Sequence, residues 1–222
     1  MNIFELKNIA FSYGPEEPAV LRDFSLTVEE GTCLVIEGEN GAGKTTLFRI
    51  LNGLSFPERG SFFFDGDEIT EKYMKDNHRA KLFHKRIGYL FQNPDVMLFN
   101  GTVYDEIAFG PRQMGLDEAE VKKRTEECMA LFGIEGLSKK APYHLSGGQK
   151  KKVALGAVMA LNPEVLILDE PFAGLDEKSR QMLLDFLAEL KKAKKTILIA
   201  THDPLLKEKL ADGVLVLKGI DS

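Results

Sequence analysis

The stretch that most constrains the fold is GENGAGKTT at residues 38–46, directly after the apolar run Cys33, Leu34, Val35 and Ile36. Gly38, Gly43, Lys44 and Thr45 fit G-x-x-x-x-G-K-[ST], a phosphate-binding loop. Glycines let the backbone curl until successive N–H groups point inward at phosphate oxygens. A helix beginning near Lys44 and carrying Leu47, Phe48, Ile50 and Leu51 aims its positive dipole end at the same anion. Asn40, Gly41, Ala42 and Thr46 complete the expected nucleotide-binding stretch. Lys44 would reach the β- and γ-phosphates, and the Thr45 hydroxyl would ligate Mg²⁺. The plainer alternative is a glycine-rich turn before a helix. The strand before, the helix after and the Lys-Thr pair disfavour it.

A chain of 222 residues allows one large domain or two lobes sharing a core. Its composition, 44% hydrophobic and 28% charged, places it among ordinary globular chains. A net charge of −5 argues against nucleic acid as a partner. The dense basic runs at 150–152 and 191–195 read as solvated helix faces. Cys33 and Cys128 lie far apart with neither metal spacing nor a disulfide framework, which fits a reducing compartment. The first residues carry no basic segment followed by an apolar core, so no secretory signal is expected. The longest apolar run, 153–161, is far short of the roughly 18 residues that span a bilayer. At a membrane, something else would have to anchor this chain.

Alternation of apolar and polar residues predicts strands over 3–13 and 20–28, joined through the turn formers at 14–18. Glu30-Gly31 turns the chain into a buried strand at 32–37. After a break at 57–60 come a strand over 61–69 with Asp65-Gly66 as a hairpin signal, a short helix over 75–84, and a strand over 86–91 ending at Gln92. From 93 to about 144 helical patterns take over, at 103–109 and 116–131. A helix over 147–161 leads to a buried strand at 165–168. An amphipathic helix over 179–192 carries Met182, Leu183, Phe186, Leu187 and Leu190 at helical spacing. A buried strand at 196–200, a helix at 204–210 and a strand at 214–217 finish the chain. Strands alternating with helices imply a mostly parallel sheet covered on both faces. No repeat or low-complexity segment interrupts the pattern.

The strand Val165, Leu166, Ile167 and Leu168 ends in Asp169 and Glu170. An apolar strand beside the phosphate-loop strand brings Asp169 to the carboxyl edge of the sheet, where ligands sit. Asp169 suits the Mg²⁺ shell through water, and Glu170 is placed to polarise an attacking water. A positioned base contributes roughly 10²–10⁴-fold to rate. Alone, the pair could be solvated acids at a strand end. Leu145-Ser146-Gly147-Gly148-Gln149 opens a helix, with Ser146 as its N-cap and two glycines that let an anion approach the free N–H groups.

Phosphate loop, LSGGQ, then a strand ending in Asp-Glu is the order found in ABC-type ATPases, which this chain resembles over nearly its whole length. The resemblance implies an α/β fold: a P-loop NTPase, RecA-like core with an N-terminal antiparallel β-subdomain and an inserted α-helical subdomain. One domain over 1–222 would divide into a nucleotide-binding core, 1–92 and 145–222, and a helical lobe, 93–144. By the same resemblance Tyr13 stacks on adenine, although packing on the core as a strand-end aromatic is the alternative. Gln92 matches the residue that senses Mg²⁺ and the attacking water while joining the two lobes. Ser146, Gly147, Gly148 and Gln149 would face the nucleotide of the opposite subunit. Asp176, in Ala173-Gly174-Leu175-Asp176, lies in the loop through which subunits communicate, and His202 matches the switch histidine at γ-phosphate. His78, His84 and His144 are left structural.

The resemblance narrows at Phe91-Gln92-Asn93-Pro94-Asp95 and at TVYDEIAFGP over 102–111, which look like the energy-coupling-factor and cobalt/nickel importer ATPases. LSGGQKKKVALG at 145–156 and MALNPEVLILDEP at 159–171 point the same way. Phe172 stands where Thr or Ser is common, at a side chain that is not a known catalytic group. Only twenty residues follow His202, where many members continue into a C-terminal domain that helps hold two subunits together. One source of pairing in the absence of nucleotide is therefore missing from the expectation.

The implied function is an ATP-hydrolysing, Mg²⁺-dependent motor on the cytoplasmic face of the membrane. It would work as a homodimer, or as a heterodimer with a paralogue, alongside a transmembrane coupling protein and a substrate-binding protein. Asp95 and Met97 are the expected docking residues for the membrane partner. A chromosome-maintenance or DNA-repair ATPase would need a long heptad coiled coil between Gln92 and Ser146, and that stretch is too short and irregular. A hydrolytically dead regulatory module would be damaged at Lys44, Asp169 or Glu170, and all three are intact. An ATPase of another transporter class stays open, as does the cargo.

Overall fold

Apolar–polar alternation along the first thirty residues builds β1 (Asn2–Phe11) and β2 (Leu21–Glu29). The computed structural model describes residues 1–219, and the elements follow in chain order. They are β3 (Cys33–Glu37), α1 (Lys44–Leu51), β4 (Arg59–Phe64), β5 (Asp67–Glu68), α2 (Glu71–Lys75), α3 (Asn77–Arg86) and β6 (Ile87–Leu90). Next come α4 (Val103–Gln113), α5 (Glu118–Phe132), α6 (Gly147–Met159), β7 (Val165–Asp169), α7 (Glu177–Lys192), β8 (Thr196–Ala200), α8 (Pro204–Leu210) and β9 (Gly213–Val216). The chain forms two compact units, 1–84 with 186–222, and 85–185.

In the first unit an antiparallel sheet runs in the order β2-β1-β4-β5. Its register opposes Phe4 to Phe64 and Leu6 to Phe62, so the inward-facing positions of both strands meet. Phe4, Leu6, Ile9 and Phe62 are fully buried, and the Phe4 and Phe64 rings lie 5.2 Å apart. Asp65 and Gly66 both have positive φ, 52° and 85°, as a two-residue hairpin turn requires. A second, parallel group places β3 between β8 and β9, with Val35 opposite both Ile199 and Val214. The continuous apolar run of β3 reflects this pairing on both sides.

In the second unit β6 and β7 pair in parallel, from Ile87 opposite Val165 to Leu90 opposite Leu168. Ile107 of α4 and Phe132 of α5 pack around Gly156 of α6. The helix starts are set by side chains: Thr102 accepts from the Asp105 N–H at the head of α4, and Asp117 accepts from the Glu120 N–H at the head of α5. Thr102→Ala is expected to lower stability by about 1 kcal/mol, read as a shift in the denaturation midpoint of the purified chain.

Three elements depart from expectation. The single helix expected over 75–84 is two helices, because Asp76 is extended and its carboxylate accepts the N–H groups of His78 and Arg79 to start α3. The expected end of α4 at 109 is passed, and the helix continues through Gly110 and Pro111 to Gln113. Burial of Val103, Ile107, Ala108 and Pro111 along one face outweighs the local cost of the Gly-Pro pair. The run at 191–195 is not wholly solvated: Lys191 donates to the Leu210 carbonyl at 2.7 Å and pairs with Asp212 at 2.6 Å.

Candidate functional site

The candidate phosphate loop lies where β3 hands over to α1. Gly43 takes the cap position of α1 at φ 94°, ψ 8°, a left-handed conformation that side-chain-bearing residues rarely adopt. No side chain caps this helix and no acid lies in its first turn, so its leading N–H groups and dipole end suit an anion. The Lys44 ammonium donates to the carbonyls of Gly38 and Glu39, which folds it back across the loop. Thr46 is buried, and its hydroxyl lies 2.9 Å from that of Tyr13.

Tyr13 sits just beyond β1 rather than within a strand, 54% exposed, with its ring edge-on to Phe11 at 5.1 Å. It therefore keeps much of its ring surface open while its hydroxyl is tied to the loop.

His202 follows β8 and is exposed. The register pairs Ile36 with Ala200, so Gly38 and His202, each two residues further on, leave the sheet at the same edge. The backbone is fixed on either side of His202. The Thr201 hydroxyl accepts from the Asp203 N–H at 3.1 Å, and the Asp203 carboxylate caps α8 at Leu205 and Leu206.

The second unit holds the other residues. Asp169 closes β7 and is buried, and Glu170 follows half-buried at φ 46°. A left-handed conformation costs a non-glycine residue about 1–2 kcal/mol, so the surroundings must hold Glu170 there. Gln92 is exposed beyond the end of β6.

Ser146 caps α6 as expected and does so reciprocally. Its hydroxyl accepts the Gln149 N–H at 3.4 Å, and the Gln149 side-chain oxygen accepts the Ser146 N–H at 3.0 Å. The Ser146 hydroxyl proton stays available to donate. The helix start borders a cleft of about 490 Å³ lined also by Lys152, Asp176 and Ser179. A Cβ at Gly148 would lie 3.2 Å from the Gly174 carbonyl, a tight contact that glycine avoids. Asp176 accepts the Ser179 N–H at 2.7 Å. That hydrogen bond, before the nearby lysines, holds its carboxyl below the usual carboxylate range.

The basic run at 150–152 is not a solvated face. Lys151 is only 3% exposed, and Lys150 pairs with Asp95 at 2.6 Å. Lys151 went unrecognised because three adjacent lysines carry no local mark of which one turns inward. Met97 is half-buried, with its sulfur accepting the Phe91 N–H, while Val96 and Phe99 are 67% and 68% exposed. Phe99 meets Phe109 edge-on at 5.0 Å, so it lies outside the core of the helical segment.

Burial pushes the Cys33 thiol up to about 12 and that of Cys128 up to about 11, so both are poor nucleophiles and poor metal ligands at neutral pH. Among the described residues, no helix is long and apolar enough to cross a membrane.

The chain matches a family model described as ABC transporter over residues 21–173. It is 45% identical over 201 residues to the nickel import ATP-binding protein LarO of Lactiplantibacillus plantarum, covering 90% of this chain and 83% of that protein. It is 42% identical over 217 residues to the energy-coupling factor transporter ATP-binding protein EcfA of Methanocaldococcus jannaschii, covering 98% of this chain and 76% of that one. Among solved structures, the ATP-binding cassette MJ0796 superimposes with a TM-score of 0.87 at 25% identity, covering 98% of this chain and 96% of that chain. That cassette is in a dimeric post-hydrolysis state bound to ADP and Pi.

Proposed function

We propose that this chain, which belongs to the ABC transporter family and is the ATP-hydrolysing subunit of such a transporter, drives an energy-coupling-factor-type importer of a vitamin or a transition-metal ion. The extent of the likeness carries this reading. The alignment with EcfA covers 98% of the chain, so the helical segment 93–144 is included and not only the nucleotide motifs. LarO, a relative named for nickel import, supports the import direction.

In this reading one ATPase domain comprises the nucleotide core, 1–92 and 145–222, and the helical lobe 93–144. The chain works as a homodimer or with a paralogue. The N–H groups of 40–46 and the Lys44 ammonium bind the ATP phosphates, and Tyr13 takes the adenine. Thr45, Gln92 and Asp169 offer a hydroxyl, an amide carbonyl and a carboxylate, the hard oxygen donors that Mg²⁺ prefers. A Mg²⁺ held by these residues would supply positive charge to offset the negative charge developing on the transferred phosphate. Glu170 takes the proton of the attacking water, and His202 donates to γ-phosphate. Ser146, Gly147, Gly148 and Gln149 meet the nucleotide of the opposite subunit, with Asp176 relaying its state. Positioning and electrostatics, rather than covalent chemistry, are the protein's task.

The subunit lies on the cytoplasmic face of the membrane and docks a transmembrane coupling protein, which works with a substrate-binding protein. No nucleic acid takes part. Asp95 and the apolar residues after it, Met97 among them, form the docking point. The Asp95–Lys150 pair is largely exposed on the Asp95 side and contributes about 1 kcal/mol or less. Asp95→Arg is therefore expected to leave the soluble ATPase rate within about twofold while preventing assembly, by setting a cation against a basic coupling helix. Co-purification from detergent, alongside the soluble rate, checks this. Normal assembly would remove Asp95 from the joint, and membrane partners of another transporter class would replace the importer assignment.

A further inference from the structure

Parallel pairing of β6 with β7 ends at Leu90 opposite Leu168. Two residues on, in the same register, stand Gln92 and Glu170. The Lys151 ammonium reaches this point from α6. It donates to the Glu170 carbonyl at 2.8 Å and to the Gln92 carbonyl at 3.3 Å. A single buried cation thus joins the backbones of the two residues where strand pairing has stopped. It also acts on the residue held at φ 46°, whose peptide orientation decides where its side chain points.

We infer that Lys151 is a positioning residue for hydrolysis, fixing the peptide of Glu170 and tying it to Gln92 through two hydrogen bonds to their carbonyls. The residue acts through Glu170 and touches no substrate. The chemistry suits the task, because an ammonium offers three donors and no acceptor, and two carbonyls converge on it. Burial lowers the affinity of this amine for its proton, opposed by the negative charges of Glu170 and Asp169. Position 151 also lies in α6, whose first residues are the signature sequence. A shift of that helix therefore reaches the Glu170 backbone through one side chain. The inference rests on the reading of Glu170 as the base.

Lys151→Met removes the donors at nearly constant length, and Lys151→Gln restores two N–H donors on a neutral side chain. Steady-state ATP hydrolysis is measured on both full-length variants beside Glu170→Gln, with thermal midpoints and size-exclusion runs in ATP. Lys151→Met is expected to lose roughly ten- to a hundredfold in kcat with KM for ATP nearly unchanged. It should accumulate as an ATP-loaded dimer, which a merely destabilised chain would not do. Lys151→Gln should return to within about threefold of the parent rate. Full activity in Lys151→Met overturns the inference. So does equal loss in both variants together with a fallen thermal midpoint. If Lys151→Met does not fold, Lys151→Gln decides alone: near-parent turnover supports the inference, and a tenfold or larger loss with an unchanged midpoint overturns it. Near-normal turnover in Glu170→Gln would overturn the base assignment and this inference with it. Loss in Glu170→Gln with activity kept in Lys151→Met would overturn only this one.

Discussion

Glu170→Gln is expected to bind ATP as the parent chain does and to hydrolyse it at least about a hundredfold more slowly. The substitution keeps the shape of the side chain and removes only its capacity to take a proton. It leaves the backbone at φ 46° and the carbonyl held by Lys151 unchanged, so a large loss reports on proton transfer rather than on refolding of the strand end. With hydrolysis blocked and ATP binding intact, a closed pair should persist, and size-exclusion chromatography in ATP should show more dimer for the variant than for the parent chain. Turnover near the parent value in saturating ATP would remove Glu170 from the role of base.

Ser146→Arg is expected to abolish hydrolysis while leaving ATP binding by the single subunit intact. Ser146 and Gln149 satisfy one another at the head of α6, and losing the cap costs about 1 kcal/mol, too little to unfold a domain. The larger effect is bulk and positive charge at the mouth of the cleft bordered by Gly147, Gly148 and Asp176. If hydrolysis is shared between subunits, the damage belongs to the nucleotide bound by the partner. Mixing Ser146→Arg with Lys44→Ala should then restore about one working site per mixed dimer, since one subunit supplies an intact phosphate loop and the other an intact signature. Nucleotide titration of the monomer and ATPase rates of the mixture test this. Loss of ATP binding in the Ser146→Arg monomer would mean that the site is not shared.

Much of the candidate site was legible because its signals are local. A phosphate loop is a matter of backbone conformation and helix start, so glycines, Lys44 and Thr45 at fixed spacing carry it. The Ser146 cap and its Gln149 partner are three residues apart, and the hydrogen bonds form within that span. The apolar runs of β3, β7 and β8 announce buried strands, and the residues that follow two of them include Asp169 and His202. The helix break at Asp76 and the continuation of α4 past Pro111 were not legible. In the first a side-chain cap, and in the second a buried face, outweighed a weak local preference.

The residues alone determined the candidate chemistry: a phosphate-loop pattern, two carboxylates after a buried strand, and their order along the chain. Only the tertiary structure decided which lysine of the run at 150–152 turns inward. Lys151 donates to carbonyls 59 and 19 residues away in the chain. A local pattern records the demands of the backbone over a turn or two. A buried ammonium must find its acceptors wherever packing brings carbonyls together, because leaving it unpaired would cost more than the surrounding burial returns.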